Sequence, residues 1–153
     1  MGAFEERLIV IPTDLSEFSI RALQIGVEIA TRRELIRVVH VMPMIEPIHA
    51  EGNWISIDEA ARLEQTRENV QAFLDVHQFG DLPYEVLLGD AGHEITNYAS
   101  ECNAGLIVIP SHGRGMLQRL LLGSTTNRVV HLAHCPILVL RPERQPAKPS
   151  TKE

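Results

Sequence analysis

Hydrophobic residues fall along this chain in two alternating rhythms. Unbroken apolar runs such as Leu8-Ile9-Val10-Ile11 and Leu106-Ile107-Val108-Ile109 alternate with stretches where apolar residues recur every three or four positions. A short continuous run suits a strand buried on both faces, and the wider spacing suits a helix with one apolar stripe. Strands are therefore predicted at residues 8–11, 35–41, 84–88, 106–109 and 137–140. Four helices are predicted between them. Ala22, Ile25 and Ile29, beside Leu23, Gly26 and Ala30, form the first stripe behind a Ser16 N-cap. Asp58 caps a second, with Leu63, Val70, Phe73, Leu74 and His77 on one side. Ile95, Tyr98, Ala99 and Cys102 mark the third, and the fourth runs from Ser124 to Ala133.

Punctuation supports these boundaries. Pro12-Thr13-Asp14 ends the first strand, Pro43 the second and Gly89-Asp90 the third. Gly80-Asp81-Leu82-Pro83 is a turn, Asn103-Ala104-Gly105 supplies helix-ending residues, and Pro136 opens the last strand. Residues 43–57 read as a long loop holding Gly52-Asn53 and the only tryptophan, Trp54, as a lid or an interface residue. Residues 142–153, with three prolines and no large apolar side chain, are expected to form a disordered tail behind a domain at 1–141. Strands alternating with helices imply a parallel sheet covered on both faces, doubly wound by right-handed crossovers. Such sheets bind ligands at carboxyl strand ends where the strand order reverses. The first and fourth strands carry the most site-like ends.

Composition narrows the function classes. A chain of 153 residues, 44% hydrophobic and 22% charged, fits one soluble domain. A net charge of -6 argues against nucleic-acid and anionic-membrane partners. No run approaches a membrane span, and residues 8–11 are too short for a signal peptide, so a cytoplasmic protein is expected. Cys102 and Cys135 are too few for a disulfide framework and read as buried thiols. Arg114, Arg119 and Arg128 cluster against the global sign.

The chemistry concentrates after the fourth strand. Ser111-His112-Gly113-Arg114-Gly115 is followed, with nine residues between Gly113 and Gly123, by Gly123-Ser124-Thr125-Thr126. A glycine turn at a strand end exposes peptide N–H groups, and hydroxyl residues at a helix start add a second anion cradle. Two cradles so close suit a polyphosphate, with Arg114 to neutralise charge. Helix capping would equally explain Ser124, and an Asx turn would equally explain Asp14. His40 and His112 have no sequence-fixed nucleophile or carboxylate to complete a catalytic pair, and His112 reads as a loop-structuring hydrogen-bonder. His131 and His134 lack further ligands for a metal.

These features together resemble the universal stress protein family from about Leu8 to Arg141. The resemblance is carried by Ile11-Pro12-Thr13-Asp14 with Ser16, Val39-His40-Val41, Gly89-Asp90, the Ser111-His112-Gly113 and Gly123-Ser124 pair, and Cys135-Pro136-Ile137-Leu138-Val139. It implies a flavodoxin-like five-stranded sheet in order 3-2-1-4-5 and a homodimer through the last strand, Ile137–Leu140. It also implies a regulatory, non-enzymatic protein of the stress response that binds ATP with Mg²⁺. Pro12 and Thr13 would then line base and sugar, Asp14 would meet ribose or a nucleotide-bound Mg²⁺, and Val41 would meet adenine. Ile109 and Pro110 join them at the fourth strand's end. Gly113, Arg114, Gly115, Gly123, Ser124, Thr125 and Thr126 would hold the phosphates. One position departs from the nucleotide-binding branch: Pro110 stands where the motif's first glycine belongs, and proline has no N–H to donate. A dimeric signalling module without nucleotide is therefore the alternative, and a slow ATP hydrolase the weaker one.

Overall fold

The computed structural model describes residues 6–50, 52–55, 57–113 and 121–142. In chain order the elements are β1 (Ile9–Pro12), α1 (Glu17–Ile29), a 3₁₀ turn (Arg33–Leu35), β2 (Ile36–Met42), β3 (Ile48–Ala50) and β4 (Asn53–Ile55). They continue with α2 (Glu59–Val76), β5 (Tyr84–Leu88), α3 (Ala91–Glu101), β6 (Leu106–Pro110), α4 (Ser124–Leu132) and β7 (Ile137–Leu140). Five strands form one parallel sheet in the order β5-β2-β1-β6-β7. Ignoring the small β3–β4 pair, this is the expected flavodoxin-like order 3-2-1-4-5. The direction of winding reverses between β1 and β6, which pair only at Ile9 with Leu106 and Val10 with Ile107. Beyond those two rungs the strand ends diverge and leave a gap.

The pleat sorts the apolar runs into two cores. Ile9, Ile11, Val38 and Val108 point to the face covered by α1 and α2, where Leu23, Val70 and Leu74 meet them. Their neighbours Val10, Val39, Ile107 and Ile109 point to the face of α3 and α4, against Ile95 and Val129. Continuous hydrophobicity is thus the requirement of a sheet covered on both sides. Each fully buried aliphatic side chain stabilises the fold by roughly 1.5–3 kcal/mol. At Gly26 a Cβ would collide with Ile11 Cδ1, so α1 lies directly on β1. That close approach brings the first turn of α1 to the end of β1.

Helix ends follow the expected chemistry in part. Asp58 Oδ1 accepts from Ala61 N at 2.9 Å and Asp90 Oδ1 from His93 N at 3.1 Å, both as N-caps. Ser16 occupies its N-cap position but makes no side-chain cap bond. The N-cap of α4 is Gly123, also without a side-chain bond, so Ser124 lies inside the helix and is not its cap. Asn103, at φ 52°, closes α3 as an αL residue, with Ala104 N donating to Ala99 O. Gln78, at φ 66°, does the same for α2, with Phe79 N donating to Leu74 O at 2.8 Å. A side chain in the left-handed region costs roughly 1–2 kcal/mol. Gln78→Gly is expected to stabilise the protein by about 0.5–1 kcal/mol after the extra freedom of the unfolded chain is subtracted. A denaturant midpoint that falls instead would contradict this.

The segment at 43–57 differs from the expected loop. It contains an antiparallel pair, with Ile48 opposite Ile55, His49 opposite Trp54 and Ala50 opposite Asn53, and Gly52 at φ 80°. Strands of three residues are too short to show a period of two. Cys102 and Cys135, expected to be buried, are free and half-buried, and desolvation pushes both thiols up from their ordinary range. The tail beyond Pro142 lies outside the described residues.

Candidate functional site

The end of β1 is a tight turn built around one carboxylate. Thr13 N donates to Val39 O at 2.8 Å as the strand's last rung. Asp14 Oδ1 then accepts from Ser16 N at 3.0 Å, from the Ser16 hydroxyl, and from Ser19 Oγ at 2.9 Å. Leu15 is forced to φ 62°, with its N–H on Thr13 Oγ1 at 3.1 Å. An unbranched helix entry would not need this conformation, so the turn stores strain where the chain presents Asp14. The Asx turn is therefore real, and it explains why Ser16 caps nothing. Its Oδ2 faces the other side, where a Cβ on Gly113 would strike it.

The end of β6 supplies the opposing wall. Gly123 N donates to Ser111 O at 2.7 Å, and a Cβ on Gly123 would come within 3.2 Å of His112 Cα. The two glycine bends are thus in direct contact. A side chain at 123 would press on the His112 backbone, which glycine avoids. His112 is buried, with Nδ1 3.0 Å from Ser111 Oγ and its ring 5.2 Å from that of Phe18. Pro110 ends the strand opposite Leu140. Ser111 N bonds β7 at Leu140 O, so an N–H at residue 110 would face the β1 side, into the gap. Proline removes no ladder bond there, but it removes a donor from the gap. Its carbonyl is already taken by Thr126 Oγ1 at 2.7 Å.

Between these ends lies a cavity of about 150 Å³. Of the residues expected at a site, Pro12, Thr13, Asp14, Val41, Ile109, Pro110, Gly113, Thr125 and Thr126 line it. Gly123 and Ser124 do not; Ser124 opens instead onto a shallow groove with His93, Arg128 and His131. Arg114 and Gly115 lie outside the described residues. Sequence reasoning missed Ser19, Val39, His40, Ala91, Ile95 and His112, which complete the lining. Two of these carried a signal, since Val39 shares a face with Val41 and Ser19 lies one helical turn from Ser16. His40 Nδ1 lies 2.8 Å from Thr13 O, so that nitrogen carries the proton. β1 stops opposite Val39 while β2 runs on to Met42. The peptide groups of Val41 on that side therefore extend past the strand that would pair with them.

Beside the groove, Asp90 accepts from the His93 backbone N–H and ring and from Arg128 Nη1 at 2.7 Å. Arg128, one of the clustered arginines, is therefore engaged with Asp90. These donors, the His93 backbone first, lower the Asp90 carboxyl from 3.8 to about 2. Because its folded value is depressed, the stabilisation it gives is complete above about pH 4 and is lost as the pH falls toward 2. Carbon-detected NMR titration is expected to place Asp90 near 2, and a midpoint near 4 would refute the assignment. Among the described residues no group of three or more His, Cys, Asp or Glu is placed to hold a metal, and His131 Nδ1 bonds Asn127 O. No described helix is long and apolar enough to cross a membrane.

A parallel sheet wound in both directions, with a cavity at the reversal point, defines a doubly wound α/β protein of the flavodoxin-like class. More narrowly, the chain belongs to the universal stress protein family, whose family model matches residues 6–141. Universal stress protein MJ0531 of Methanocaldococcus jannaschii is 36% identical over 138 residues, covering 87% of this chain and 81% of its own. Among solved structures, hypothetical protein MJ0577 superposes with a TM-score of 0.69 at 19% identity, over 94% of this chain and 100% of its own. The universal stress protein of Archaeoglobus fulgidus, solved in complex with dAMP, gives a TM-score of 0.56 at 20% identity, over 88% and 98%.

Proposed function

We propose that this chain is a cytosolic regulatory protein of the stress response that binds ATP with Mg²⁺ and acts as a homodimer. The observation that carries the reading is the contact between two strand ends: Gly113 of the β6 turn lies directly against the Asp14 carboxylate of the β1 turn, and both line the cavity. Glycine at 113 is what lets the carboxylate and the β6 turn approach this closely at the cavity wall. The cavity suits the ligand's two halves. Aliphatic residues at one end fit a base, while Asp14, Thr125 and the Gly113 backbone fit sugar, metal and phosphate. A fold neighbour holding dAMP supports an adenine nucleotide. The dimer is supported by β7, an edge strand of four half-buried aliphatic residues with no charge or proline to protect it.

Titration calorimetry with MgATP tests the reading, together with mass analysis of ligand carried through purification. Saturable binding is expected, and none at millimolar nucleotide would exclude it. The alternative, a dimeric module without nucleotide, is favoured by one feature: Pro110 withdraws a donor from the cavity. Pro110→Gly separates the two. On the nucleotide reading, one regained hydrogen bond of about 1 kcal/mol raises ATP affinity roughly three- to tenfold. On the other reading the parent does not bind at millimolar ATP, and binding emerges only in Pro110→Gly.

A further inference from the structure

We infer that the cavity selects its ligand by the sugar-phosphate and is tolerant of the base. This rests on the nucleotide reading above. The polar and apolar linings are segregated. Val39 and Val41 of β2, Ala91 and Ile95 of α3, and Ile109 of β6 form one end, and none of these side chains has a hydrogen-bonding group. The threonine hydroxyls bordering that end each already make one bond. Thr126 donates its hydroxyl to Pro110 O, and Thr13 Oγ1 accepts from Leu15 N. His40 alternates with Val39 and Val41 and so leaves the pleat on the opposite face, its Nδ1 held by Thr13 O. Pro110 contributes neither a donor nor an unengaged carbonyl. Among the described residues, what remains to read a base edge is the peptide of Val41 and the second bonds of those two hydroxyls.

The other end is different in kind. Asp14, Ser19 and Gly113 gather there in direct contact, and His112, together with Thr125 of the first turn of α4, adds to the polar lining. A ligand with a flat apolar ring and an anionic tail has one sensible orientation in such a cavity. An aliphatic pocket discriminates between rings of similar size by only about 10–200-fold, whereas one built to hydrogen-bond a particular group rejects its absence by about 10⁴–10⁵-fold. The base end belongs to the first kind. The Val41 peptide and those two hydroxyls add a few hydrogen bonds to that modest preference.

Competition against a fluorescent ATP analogue on the full chain tests this. GTP and ITP are expected to displace the analogue within about tenfold of ATP, and adenosine, which lacks the phosphates, to be weaker by at least about a hundredfold. GTP weaker than ATP by more than a hundredfold, or adenosine equal to ATP, would overturn the inference while leaving nucleotide binding intact. Failure of ATP itself to displace the analogue would overturn the nucleotide reading and this inference with it. A near-isosteric change supplies an independent arm. Val41→Thr places a hydroxyl at the base end, and its ATP-to-GTP affinity ratio is expected to shift at least about threefold. Ala91→Ser, at the helix start, tests the same end should the first variant fold poorly. An unchanged ratio in folded protein with both would count against an otherwise apolar reading surface.

Discussion

Gly113→Val is expected to abolish measurable ATP binding, a loss of at least about a hundredfold or roughly 2.7 kcal/mol. The reason is local. A Cβ at Gly113 meets Asp14 Oδ2, and the additional methyls of valine extend into the space between the β1 and β6 ends. Asp14 has little room to retreat, because Oδ1 is held by the Ser16 N–H and by the hydroxyls of Ser16 and Ser19. The substitution thus obstructs the cavity and pushes on the turn that shapes it. Calorimetry with MgATP reads the loss, and a thermal midpoint within a few degrees of the parent separates it from unfolding. Retained affinity in that folded variant would mean that the nucleotide does not pass between these two turns.

Ile11→Ala is expected to destabilise the protein by about 3 kcal/mol, within the usual range of about 2–5 kcal/mol for buried aliphatic truncation. Ile11 is fully buried, and its Cδ1 fills the notch above Gly26 in α1. No neighbouring side chain stands at position 26 to close the void. In a protein of this size the melting temperature should fall by about 6–12 °C. Because Ile11 lies just before Pro12-Thr13-Asp14, some of the damage should also reach the cavity, read as weaker nucleotide affinity. A loss below about 1 kcal/mol would show that α1 settles onto β1 without this contact.

How much of the molecule was legible differs between fold and site. Strand positions follow from runs that must be apolar on both sides of the pleat, and the ends of β5, α2 and α3 carry recognisable turn and cap residues. Asn103 closes α3 as its residue type suggests. Gln78 closes α2 with nothing in its chemistry to announce it, because there the helix exit is dictated by Phe79 entering the core. The hairpin at β3 and β4 escaped notice because three residues are too few to establish alternation. At the site, Asp14, Val41 and Gly113 were recognisable from strand ends and motif. Ala91 and Ile95 were not, since each reaches the cavity from an element whose own pattern only speaks of packing.

Sequence alone determined the rhythm of buried strands and striped helices, and therefore a doubly covered parallel sheet. It also marked the two glycine bends and the acidic turn, because backbone conformations that few residues tolerate leave a trace in residue type. Tertiary structure decided what those bends do. Gly113 admits a carboxylate against its backbone at the cavity wall, whereas Gly123 accommodates the backbone of its companion bend, and the hydroxyls expected to cradle phosphate divide between the cavity, a structural carbonyl and an outer groove. The physical reason is that a residue's local constraint is written in its own type, while its neighbour across the fold depends on how distant strands diverge.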